Sequence, residues 1–149
     1  MENNVNAIQG ALTSSQRVAI CFAAGVIGAA AVILFSYILS WSGLGGALDR
    51  KEPIPLKSPD FYRPLFWGGL WGALFGMFVK TVWNWLYFFG FLYVLVPLTA
   101  LFLFFLPKSG AGYFGLHQGW KFTVYLLLVN LPFGIVTAMA ARAIVGEHP

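Results

Sequence analysis

From Val18 to Trp41 the chain carries no charged side chain. Roughly 20 apolar residues rising about 1.5 Å each are enough to cross a hydrocarbon core some 30 Å thick. The stretch is continuous in its apolarity, without the polar stripe of a helix lying on a soluble core. It reads as a membrane span, and a chain that begins this way must satisfy every backbone polar group inside its own helices.

Three more apolar stretches follow. One runs from Pro64 through Phe66, Leu70, Phe75 and Phe78 to Lys80; it is short unless Lys80 snorkels outward and lets the helix reach Val82. The others run over 85–106 and 120–141. Lys80-Thr81-Val82-Trp83-Asn84 separates the second from the third as a tight interfacial turn. One unbroken helix over 64–106 would place Lys80 deep in lipid, at about 2.5–3.5 kcal/mol. The tryptophans fit two aromatic belts, with Trp41, Trp67, Trp71 and Trp120 at one level and Trp83 and Trp85 at the other. The expected fold is a single all-α integral membrane domain over 1–149, with four helices (18–41, 64–82, 85–106 and 120–141) in an antiparallel bundle and a first loop over 42–63.

Composition agrees: 59% of the 149 residues are hydrophobic and only 9% charged, against about 25% charged in soluble domains. No Asp, Glu, Arg or His falls at mid-span, so ion-coupled transport lacks its usual group. No nucleophile, carboxylate-pair or metal-ligand set is spaced for catalysis. Cys21 is the one cysteine, and His117 and His148 cannot face each other as haem ligands within one chain. The expectation is a protein that is not an enzyme, with no cofactor, no metal and no nucleic-acid partner.

The basic residues suggest an orientation. Arg17, Lys80 and Arg142 lie on one side, and Arg50, Lys51, Lys57, Arg63, Lys108 and Lys121 on the other. Because cytoplasmic loops are enriched in Lys and Arg, this places both termini outside an inner, cytoplasmic membrane. Arg50, Lys51, Lys57 and Arg63 then face lipid headgroups. The segment before Val18 lacks the early positive charge of a cleaved signal. Val5, Ile8 and Leu12 have helical spacing, with Ser14 or Ser15 as a possible N-cap.

Two features invite function. Gly68, Gly72 and Gly76 recur every fourth residue in the second span, and Gly25 and Gly28 provide a matching surface in the first. Such small-residue faces let helices approach closely in lipid, within a chain or between chains, in the manner of a glycine zipper. Pro97 and Pro132 fall within spans three and four and deprive the carbonyls of Tyr93 and Leu128 of their donors, so kinks are expected. Asn130 and the hydroxyls of Thr99, Thr123 and Thr137 are candidate replacement donors. Pro97, Thr99, Asn130 and Pro132 would then frame a polar site. In the first loop, Pro53, Pro55 and Pro59 favour an extended strap, and Ser58-Pro59 reads as a helix start. The glycine-rich third loop reads as mobile. The leading expectation is a non-catalytic, homo-oligomeric or accessory subunit of a membrane complex, contacting partners through the glycine stripe and first loop. The alternative is a small channel or uncoupled permease at the kinked helices.

Overall fold

The computed structural model describes residues 12–146. The expected helix at Val5 and Ile8 lies outside them. All regular elements among the described residues are helical. Helix α1 covers Ser14–Trp41, a four-residue helix α2 covers Leu44–Ala47, and α3 covers Tyr62–Phe78. Helix α4 is composite, running over Trp83–Lys108, and α5 covers Trp120–Val145. Of these, α1, α4 and α5 are long and apolar enough to cross a membrane.

The first helix starts earlier than its apolar run. Thr13, not Ser14 or Ser15, is the N-cap: its hydroxyl accepts from the Gln16 amide at 3.3 Å, and Gln16 Oε1 accepts from the Thr13 amide at 2.8 Å. This reciprocal capping box needs a glutamine or glutamate three residues on, which Thr13 has. Arg17 folds back, donating to the Leu12 carbonyl at 2.7 Å.

The first loop is pinned. Ser36 and Ser40, one turn apart on α1, hold the strap: the Ile54 amide donates to Ser36 Oγ at 3.0 Å, and Ser40 Oγ donates to the Lys51 carbonyl. The expected helix start at Ser58 is displaced. Residues 58–61 form a turn in which Phe61 N donates to Lys57 O, and α3 begins at Tyr62. With 17 residues α3 rises about 25 Å, and it stops at Phe78 because residues 79–82 turn toward α4.

The two proline-bearing helices differ. In α4 an initial 3-10 turn (Trp83–Trp85) precedes α-helix over Leu86–Tyr93, and the helical hydrogen bonding is interrupted at Val94, whose backbone stays right-handed helical. The helix resumes at Leu95–Ala100, widens into a π segment over Leu101–Phe105 and closes at Leu106–Lys108. The interruption falls just before Pro97, which has no N–H to offer Tyr93. Around Pro132, by contrast, α5 continues without interruption.

Helix α1 packs between α3 and α5. A Cβ at Gly72 would lie 2.6 Å from the Gly25 Cα, and one at Gly76 would lie 2.9 Å from the Val18 Cα. Residue numbers rise along α3 as they fall along α1, so this pair is antiparallel. On the other flank a Cβ at Gly28 would sit 2.9 Å from the Phe133 carbonyl oxygen of α5. Helix α4 meets α5 through Gly90 and Gly134, where a Cβ at Gly90 would lie 2.8 Å from the Gly134 carbonyl oxygen. Two apolar clusters form the interior, one around Val32, Leu98, Phe102, Val129 and Phe133, the other around Cys21, Phe75, Val79 and Leu86.

Candidate functional site

Two of the four candidate donors bond to their own helix backbone. Asn130 Nδ2 donates to the Leu126 carbonyl at 2.8 Å, and Thr99 Oγ1 to that of Leu95 at 2.7 Å. Thr123 Oγ1 reaches the Phe114 carbonyl at 2.6 Å, while the buried Thr137 hydroxyl has no hydrogen-bond partner. None of the four donates to Tyr93 or Leu128, the carbonyls that the prolines deprive. Thr99, Thr123 and Asn130 instead reach carbonyls nearer their own rotamers.

The structure nevertheless brings several singled-out residues together. A cavity of about 400 Å³ lies among α1, α3, α4 and α5, and its lining includes Gly68, Pro97, Asn130 and Arg63. Thr99 lines a second cavity of about 340 Å³ with Thr123, and Pro132 lines neither. The other glycines, Gly25, Gly28, Gly72 and Gly76, lie at contacts within the chain.

Two bridges cross between α3 and α4. The Trp67 and Phe105 rings meet edge-on with centroids 4.9 Å apart. The Tyr93 hydroxyl donates to the Trp71 carbonyl at 2.7 Å, its ring 4.9 Å from that of Phe75. The larger cavity lies between the levels of the two bridges, walled by Trp67, Trp71, Leu101, Phe105 and Leu126. Tyr125 adds a phenol to the wall, and exposed Arg63 stands at the loop end.

The basic residues of the first loop part company. The Arg50 guanidinium donates to Gln118 Oε1 and lies 4.3 Å from the centroid of the Phe122 ring. Asp49 and Lys121 form an ion pair at 3.2 Å. The first and third loops are thereby joined, and the third is folded. Its Phe114 ring lies 5.5 Å from Phe102, its His117 amide donates to the Ala111 carbonyl, and His117 Nδ1 lies 3.2 Å from the Gly110 oxygen. Its glycines Gly110, Gly112 and Gly115 take up positive φ in the turn. Lys51 and Lys57 are exposed.

Sequence reasoning missed Ser36, Ser40, Tyr93 and Tyr125. Two serines four apart in a span were a legible hint of a polar partner on one helix face. No group of three or more His, Cys, Asp or Glu side chains able to hold a metal occurs among the described residues. Chemically, the cavity can accommodate an apolar chain beside a few hydrogen-bonding groups, with one cation at its end. No family model matches this chain, and neither a curated protein nor a solved structure shows significant similarity to it.

Proposed function

We propose that the chain is a non-catalytic integral membrane protein that works as a homo-oligomeric or accessory subunit of a membrane complex. In this reading α3 is the second and shortest span, Lys80 snorkels at its end, and the four helices form an antiparallel bundle in an inner membrane with both termini outside. Pro97 and Pro132 bend α4 and α5. The observation that supports a structural rather than a chemical role is the way polar atoms are used: Ser36, Tyr93, Thr99 and Asn130 all donate to carbonyls of their own chain. Because the stripe glycines meet α1, α3 and α5 of the same chain, contacts with partners fall to the outward aromatic faces, such as Phe66, Phe88 and Phe104, and to the first loop. Purification in mild detergent followed by native mass measurement tests this. Assemblies heavier than the 16.4 kDa protomer are expected, and a protein that is monomeric with no co-purifying chain overturns it.

The co-location of Pro97 and Asn130 in one cavity favours a second reading, a small uncoupled permease. There, Asn130→Leu in a folded, reconstituted protein would abolish solute flux; unchanged flux removes this reading.

A further inference from the structure

We propose that the larger cavity holds one acyl chain of an anionic phospholipid, with the lipid phosphate on Arg63. The inference rests on the chain spanning a bilayer and goes beyond its role as a subunit. Depth is the first support. The lining runs along α3 from Arg63 to Trp71, along α4 from Pro97 to Phe105 and along α5 from Tyr125 to Phe133. Each of these eight-residue advances corresponds to about 12 Å of helix rise, close to one leaflet of a core about 30 Å thick. A path across the membrane would need about twice that length.

Chemistry is the second support. The walls are overwhelmingly apolar, yet the loop end carries Arg63, which is exposed and pairs with no carboxylate among the described residues. Guanidinium binds phosphate through paired, charge-assisted hydrogen bonds, and basic pockets between membrane helices take up anionic headgroups. Polarity therefore changes along the cavity as it does along a phospholipid, with charge at the interface and hydrocarbon below. The volume of about 400 Å³ lies within the usual range for small-molecule sites.

The test is reconstitution of the full chain in bilayers of phosphatidylcholine with a minority of phosphatidylglycerol, extraction in mild detergent, and native mass spectrometry of retained lipid. One phosphatidylglycerol per protomer is expected in preference to phosphatidylcholine. Arg63→Gln should lower its retention by about tenfold, as loss of a charge-assisted bond implies, and Arg63→Lys should restore part of it. Leu101→Trp, or Leu126→Trp if that variant does not fold, fills the cavity and should abolish retention of either lipid. Equal retention of both lipids by the wild type, no change on Arg63→Gln, displacement of the adduct by inorganic phosphate, or a lipid-free dimer closing the cavity would each overturn the proposal. Protomer number is read separately in the same spectra, so the subunit reading and the lipid site can fail independently.

Discussion

Gly72 sits where the backbones of α1 and α3 come into close contact: besides the Gly25 Cα, a Cβ there would meet the Cys21 carbonyl oxygen and, at 2.8 Å, the Gly25 nitrogen. Backbone cannot move aside as a side chain can, so Gly72→Leu must separate the helices. Overpacking costs typically about 1–3 kcal/mol, and the upper end or loss of folding is expected here. Reversible unfolding in mixed micelles measures it, and unchanged stability would refute the close approach. Thr137 is a different kind of residue. Its buried hydroxyl is unpartnered, although a threonine in a membrane helix ordinarily bonds its own backbone. Thr137→Val removes that unmet demand, so stability should hold or rise by up to about 1 kcal/mol. A loss larger than that in the same unfolding assay would mean the hydroxyl is bonded.

Among the elements, the strap after α2 depends on two serines. Ser36 Oγ donates to the Ile33 carbonyl at 2.6 Å and accepts from Ile54. Ser36→Ala leaves the Ile54 amide without that acceptor, a cost of about 1 kcal/mol. The strap should then loosen, raising the rate of proteolytic cutting within residues 51–57 while α1 stays intact; an unaltered cutting rate would show that other contacts hold it. The lack of helix in this strap was readable from Pro53 and Pro55, each of which removes an amide donor. Its attachment was not, because Ser36 and Ile54 are 18 positions apart. Likewise the donor that Pro97 denies to the Tyr93 carbonyl was readable, but the π segment over Leu101–Phe105 was not.

At the scale of the whole molecule, the number of crossings decides the topology. If α3 crosses despite its 17 residues, Lys57 and Lys108 lie on one side of the membrane and Thr81 on the other. Single cysteines at these exposed positions, with buried Cys21 as the one native thiol, should label from opposite sides with an impermeant reagent. Labelling of Lys57 and Thr81 from the same side, with Lys108 from the other, would leave α3 as a helix that does not cross. The ties between the first and third loops, Asp49 to Lys121 and Arg50 to Gln118, belong to the same scale. They place the two loops together, as the four-span reading requires, though an exposed ion pair adds only about 0–1 kcal/mol.

Apolar runs and the positions of the charges were enough, by themselves, to determine that this chain is helical and has helices suited to a membrane, because lipid offers no partner to an unpaired backbone group and so forces long internal ladders. Which glycines touch, where the serine pair anchors the loop, and how Arg63, Pro97, Tyr125 and Asn130 come to line one cavity were decided only by tertiary structure. Those relations join residues far apart in the chain, and local periodicity carries no information about which helix face meets which.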